Sequence, residues 1–367
     1  MSKDLFRKEL AKFQPYVPGK PIEEVKREYG LDRIEKLASN ENQLGPSPMA
    51  VEAILKAVQE INFYPEATAY ELKRELAADL GVEEENLVIG NGGEELIQVI
   101  AQTFINEGDE VIVASPSFGI YNTTVGLLGG IIHSVPFKNN QYDFEGMLGK
   151  INEKTKLIYV CSPNNPTGNI VTRKELDALL GALPEDVIVI MDEAYYEFAA
   201  GSPDYPDSIA ILKNRPNMVI LRTFSKVSGI AGVRIGYVIT SERIAGEMNK
   251  IKLTFDVNRL AQEAARGALK DKEYTKKTVA LTKESIDRME AYFEKQGLDY
   301  IKSYANFVFV DCKLHSKTMF EELMKRGVII RPGYFWGWDN WIRVSTGTLE
   351  QTQFFLEKLE EVMKGIR

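Results

Sequence analysis

Between Asn86 and Ile239 the chain alternates short runs of apolar, often β-branched residues with longer stretches in which apolar positions recur at helical spacing. The runs cover residues 87–89, 111–114, 131–136, 157–161, 187–191, 218–221 and 235–239. Segments of this kind, apolar on both faces and separated by helix-length stretches, predict a largely parallel sheet of seven strands with helices on both sides. Ligands gather at the carboxyl ends of strands in such sheets. Those ends carry Gly90 to Glu95, Ser115 to Phe118, Ser162 to Gly168, Asp192 to Tyr195 and Thr223 to Lys226, so the polar clusters should emerge on one edge.

The flanks read differently. Residues 1–35 predict an arm, a short amphipathic helix followed by a proline-rich stretch at 14–21. A brief strand at 34–37 leads into an irregular polar loop. Pro48 then opens a helix carrying Val51, Ile54, Leu55 and Val58, and a second helix with Leu72, Leu76 and Leu80 closes at Gly81. After residue 253 the pattern turns to long amphipathic helices at 260–269 and 274–296. Antiparallel-looking strands follow at 306–310, 328–330 and 341–344, with helices at 318–325 and 349–363. The chain therefore divides, on this reading, into an arm (1–35), a large α/β domain (36–252) and a smaller α+β domain (253–367).

Composition narrows the function classes. The sequence of 367 residues is 44% hydrophobic and 27% charged, and its formal charge of −8 contains no basic block, which argues against nucleic-acid binding. No apolar run approaches the ~18 residues of a membrane span, and the first residues lack an apolar signal core. Cys161 and Cys312, each inside an apolar run, read as buried thiols of a reducing compartment, and a cytoplasmic protein is expected. With His133 and His315 the only histidines, neither a metal site nor an acyl-transfer dyad is expected.

The chemistry converges on one lysine. Lys226 ends a buried strand beside Thr223, Ser225 and Arg234; a lysine partly desolvated among cations loses proton affinity and can form a Schiff base. Hydroxyls and a guanidinium nearby suit a phosphate. Together they suggest pyridoxal 5'-phosphate, whose aldehyde takes the lysine and whose phosphate takes the rest. Gly92 and Gly93, between strand and helix, allow a close phosphate approach. Phe118 could stack on a flat ring. Asp192 ends an apolar strand where an unpaired carboxylate is costly, so it wants a donor such as a pyridinium N–H, or else it caps the next helix. Tyr195 and Asn165 have donors for a ring oxygen. Arg331 and Arg343 suit bidentate binding of a carboxylate or phosphoryl group.

These residues sit in motifs that resemble those of histidinol-phosphate aminotransferases, within the aspartate aminotransferase superfamily of pyridoxal phosphate fold type I. The motifs are SPNNPTG at 162–168, DEAYYEF at 192–198, RTFSKVSGIAGVRIGY at 222–237, SNEN with LGPSP at 39–48, and IRVSTGT at 342–348. The resemblance implies that Lys226 holds the cofactor aldehyde and later carries a proton, that Asp192 keeps the ring nitrogen protonated, and that Asn165 and Tyr195 bond the ring oxygen beneath Phe118. It assigns the cofactor phosphate to Gly92, Gly93, the Glu94 backbone, Thr223, Ser225 and Arg234, with Tyr64 reaching it from a partner subunit of a homodimer. Arg343 would bind the glutamate carboxylate and, with Arg331, Tyr16 and Asn40, the phosphate of L-histidinol phosphate. Gln43 replaces a usual proline, and Gly93-Glu94-Glu95 replaces a usual Ser-Asp-Glu. The loop from Gly333 to Trp341 is far more aromatic than usual and borders the substrate arginines. Two alternatives therefore stay open, an aromatic amino acid aminotransferase and a lyase that decarboxylates threonine phosphate.

Overall fold

A computed structural model describes residues 5–15 and 20–366. All seven apolar runs form strands of one sheet, ordered Leu87–Gly90, Gly236–Thr240, Met218–Thr223, Ile188–Asp192, Thr155–Cys161, Glu110–Ser115 and Ile131–Pro136. Gly236–Thr240 is antiparallel to both neighbours, and the other pairings are parallel. Side chains alternate across a strand, which explains the apolar runs of the inner strands, while the edge strand Ile131–Pro136 buries only Val135 and carries His133 and Ser134. Val189, Met191 and Ile220 face one helical layer, while Ile188, Ile190 and Val219 face the other. The helices Tyr70–Leu80 and Arg173–Ala182 supply Leu72, Leu76 and Leu176 to the first layer. Gly93–Phe104 and Glu242–Ile251 supply Ile97, Ile100 and Met248 to the second. Each fully buried Val, Ile or Leu stabilises the sheet by about 1.5–3 kcal/mol.

The helix Arg259–Lys270 lies on the first layer too, where Ala261, Ala264, Ala265 and Ala268 are buried with Ala50 of the helix Pro48–Ala57. A Cβ at Gly267 would stand 2.4 Å from the Met49 carbonyl oxygen, so this contact needs small residues. A second core surrounds a four-stranded sheet ordered Arg331–Pro332, Trp341–Ser345, Phe307–Asp311 and Tyr300–Ile301. The helices Lys272–Gln296, Ser316–Met324 and Leu349–Ile366 cover it.

Two expectations for the flanks need correcting. Val328–Ile329 does not join the antiparallel strands; it pairs in parallel with Glu35–Lys36, a two-stranded sheet of its own. The reason is Gly327: at φ 83° it brings the chain against Arg33, whose carbonyl oxygen is 2.4 Å from where a Cβ would be. Part of the expected arm is also a helix, Ile22–Tyr29, which buries Val25 against Ala38, Met324 and Ile329. Among the described residues no helix is long and apolar enough to cross a membrane.

Candidate active site

The carboxyl ends of the central strands and the Arg331–Arg343 edge of the second sheet enclose a cavity of about 270 Å³. Gly93, Glu94, Phe118, Asn165, Asp192, Tyr195, Thr223, Ser225, Lys226 and Arg234 line it from the seven-stranded sheet. Asn40, Arg331 and Arg343 line it from the other side. Gly92 stands just behind this wall.

One corner is built for an anion. Gly92 at φ 86° precedes the helix Gly93–Phe104, whose first amides lack partners within the helix. A Cβ on Gly92 would meet Nη2 of Arg234 at 2.5 Å, and one on Gly236 would meet the Gly93 nitrogen at 3.1 Å. Arg234 itself takes a left-handed backbone (φ 61°) and donates from Nη1 to the Ala231 carbonyl at 3.0 Å. Thr223 Oγ1 donates to Ser225 Oγ at 3.0 Å and accepts from the Ser225 amide at 3.1 Å. Helix amides, two hydroxyls and a guanidinium thus converge where a phosphate would sit.

At the centre, Asp192 is 3% exposed. It accepts from Tyr121 Oη at 2.5 Å and from the Ala194 amide at 3.1 Å. Burial pushes its carboxyl above the usual range, and those two donors pull it back. The next helix begins only at Tyr196, so Asp192 does not cap it. A buried carboxylate held this way at the cavity wall would suit a ring N–H⁺. Lys226 donates from Nζ to the Ser39 carbonyl at 3.5 Å and lies 5.6 Å from the centre of the Tyr195 ring. Burial, with the Arg343 charge adding to it, lowers its amine to about 8. Tyr195 Oη accepts from Asn40 Nδ2 at 2.9 Å, and burial raises its hydroxyl to about 12. It therefore stays a neutral donor. Arg343 donates to the Asn165 side-chain oxygen and, at 2.6 Å, to the Ala38 carbonyl. That leaves the Asn165 amide N–H groups for a second acceptor.

An amine of lowered proton affinity, a buried acid and a phosphate corner are what pyridoxal 5'-phosphate requires, and the comparisons agree. A model of the family described as aminotransferase class I and II matches residues 32–359. A histidinol-phosphate aminotransferase 2 of Carboxydothermus hydrogenoformans is 45% identical over 98% of this chain and 99% of its own. The histidinol-phosphate aminotransferase of Moorella thermoacetica is 44% identical over 97% and 92%. The chain belongs to the histidinol-phosphate aminotransferase family. Among solved structures, the Sinorhizobium meliloti histidinol-phosphate aminotransferase in complex with pyridoxal-5'-phosphate superposes with a TM-score of 0.91 at 30% identity, covering 100% of this chain and 99% of that one.

Not every expected residue meets in this aminotransferase's own cavity. Tyr64 is 79% exposed and stacks on Phe255 at 4.8 Å, on the outer surface. Tyr16 lies outside the described residues. Cys161 and Cys312 are unpaired and buried, and Cys161 reaches the cavity wall. His133 pairs with Glu110 at 2.6 Å, and His315 caps the helix Ser316–Met324.

Three participants were not anticipated from sequence. Tyr121 holds Asp192, the Ser39 carbonyl holds Lys226, and Glu193, next to Asp192 in the chain, forms a buried ion pair with Arg222 at 2.7 Å. No local signal marked Tyr121, which reads as one more apolar-face aromatic of the helix Ile120–Leu127.

Proposed function

We propose that this enzyme transfers the amino group of L-histidinol phosphate to 2-oxoglutarate, giving glutamate, with pyridoxal 5'-phosphate as cofactor. The observation that carries the reading is the convergence, in one cavity, of Lys226 and Asp192 from one sheet with Arg331 and Arg343 from another. When bound, the cofactor supplies an aldehyde and an electron-withdrawing ring that stabilises negative charge at the substrate α-carbon. Gly92, Gly93, the Glu94 amide, Thr223, Ser225 and Arg234 hold its phosphate. Asp192 holds a proton on its ring nitrogen, Phe118 stacks on the ring, and Asn165 and Tyr195 donate to the ring oxygen. Lys226, with its amine lowered to about 8, is partly neutral near pH 7, so its Nζ can take the proton from the substrate α-carbon and hand it to the carbon that carried the cofactor aldehyde. Arg343 binds the carboxylate of glutamate, and Arg331 with Arg343, Asn40 and Tyr16 binds the phosphate ester.

The same reading divides the chain into an arm (1–35), a cofactor-binding unit (36–252) and a C-terminal unit (253–367), with Arg259–Lys270 crossing back onto the first. It also makes the enzyme a homodimer. Ile61, Phe63 and Tyr64 are 62%, 64% and 79% exposed, and Leu253 is 75% exposed. Such a patch suits a second copy, whose cofactor phosphate Tyr64 would reach. The compartment that fits is the cytoplasm, where the thiols of Cys161 and Cys312 stay reduced.

The test is a comparison of kcat/KM for L-histidinol phosphate, phenylalanine, tyrosine and threonine phosphate with 2-oxoglutarate present. L-Histidinol phosphate should lead by about tenfold or more, since charge-assisted contacts from two arginines favour the phosphate ester. Equal or higher values for phenylalanine or tyrosine would make the enzyme an aromatic aminotransferase. Carbon dioxide released from threonine phosphate would make it a lyase.

A further inference from the structure

The aromatic turn next to the two arginines has no counterpart in the chemistry described so far. Phe309, Arg343 and Arg331 are cross-strand partners in register across three strands, so their side chains share one face of the second sheet. Like charges placed opposite each other repel, and Arg331 and Arg343 are such a pair. Aromatic rings cover both. The Arg331 guanidinium carbon lies 4.2 Å from the centre of the Phe335 ring. That of Arg343 lies 5.4 Å from Trp336 and 5.3 Å from Phe307. The turn that presents the rings is itself fastened to the sheet. A Cβ at Gly333 would be 2.4 Å from the Trp341 carbonyl oxygen and 2.5 Å from that of Trp338, which leaves room only for glycine. Trp338 N donates to the Gly333 carbonyl at 3.1 Å and Trp341 N to the Trp338 carbonyl at 3.0 Å. Phe309 meets Trp336, Trp338 and Trp341 at 6.2, 5.5 and 5.0 Å.

We propose that Phe335 and Trp336 are positioning residues: they hold the guanidinium groups of Arg331 and Arg343 side by side with their N–H groups toward the cavity, and so set the preference for a phosphorylated amine over an unphosphorylated one. The inference rests on the transamination reading above and deepens its substrate recognition. A guanidinium resting on a ring loses rotational freedom before substrate arrives, so less entropy is lost when it binds a phosphate. Two cations held together at close range favour a dianion more than a carboxylate with one charge. The rings also face a neighbouring cavity of about 230 Å³ that includes Phe118, which ties the turn to both walls of the site.

The experiment uses the holoenzyme and three variants, Phe335→Leu, Trp336→Leu and Phe335→Tyr. Phe335 is 41% exposed, so replacing it leaves the core intact and its variants carry the test even if Trp336→Leu loosens the turn. In Phe335→Leu the KM for L-histidinol phosphate should rise about three- to tenfold, the span of a cation–π contact, while kcat and the KM for phenylalanine stay within about twofold. Phe335→Tyr, which keeps a ring under Arg331, should behave as wild type. Equal losses for both substrates, a fall in kcat at constant KM, or a tyrosine variant as impaired as the leucine one would each overturn the inference. Failure of the wild type to turn over L-histidinol phosphate would instead remove the transamination reading, and this inference with it.

Discussion

Lys226 shows at the residue scale how the fold prepares a reagent. Burial, with Arg343 adding to it, lowers its amine from the ordinary lysine value of 10.5 to about 8. The folded apoprotein therefore holds fewer protons than the unfolded chain between pH 8 and 10.5, and this group's contribution to stability rises with pH across that window and is lost below it. Wild-type apoprotein should gain on the order of 2 kcal/mol relative to Lys226→Met between about pH 7.5 and 10, after allowance for partial solvent screening. Urea unfolding at a series of pH values measures it, and parallel slopes for the two proteins would refute the lowered amine. Lys226, Asp192 and Arg234 were legible because strand ends followed by charged or hydroxyl residues stand out against apolar runs. Tyr121 was not, because a tyrosine inside Ile120–Leu127 looks like core until Asp192, seventy-one positions away in sequence, is seen to accept its hydroxyl.

At the scale of the element, the phosphate corner depends on a strand-to-helix turn with no side chain in it. Gly92→Ala would place a methyl on the Arg234 guanidinium and strain a backbone at φ 86°. Cofactor affinity should fall about tenfold or more, the worth of one charge-assisted contact, as read by titrating the apoprotein with pyridoxal 5'-phosphate. An unchanged affinity would place the phosphate elsewhere. The helix Pro48–Ala57 shows where periodicity misleads. Its apolar positions suggest one buried face with Leu55, yet Ala50 and Ala57 are buried and Leu55 is 66% exposed. The alanine-rich helix Arg259–Lys270 comes so close that only small residues fit between them, which turns the larger side chain outward.

For the whole molecule, the outward Leu55, the Phe63–Tyr64 segment and the Tyr64–Phe255 stack matter as a surface. Arg259 braces it by donating from Nη2 to the Tyr64 carbonyl at 3.2 Å. Tyr64 is outside its own chain's cavity, and the dimer reading gives it work in the other. Tyr64→Ala and Lys226→Ala should each be nearly inactive as pure proteins. Mixed and refolded together they should recover up to about a quarter of wild-type activity, since about half the dimers in a random equal mixture are hybrids and one of the two sites in each hybrid keeps both residues. Absence of recovery, with hybrid formation shown by native mass spectrometry, would mean the site is not shared.

The sequence by itself determined the seven-stranded sheet, because its inner strands are buried on both faces and so read as apolar runs, and it marked the candidate cofactor residues, because glycines, hydroxyls, a lysine and an acid near strand ends are local signals. Only the tertiary structure decided that Arg331 stands beside Arg343, that rings from the 333–341 turn cover both, that Tyr121 donates to Asp192, and that Val328–Ile329 pairs with Glu35–Lys36. Each of these joins residues whose local patterns are silent about one another. Cross-strand register and the closing of two sheets on one cavity arise from packing the whole chain, and they bring together charges and rings that no window of sequence contains.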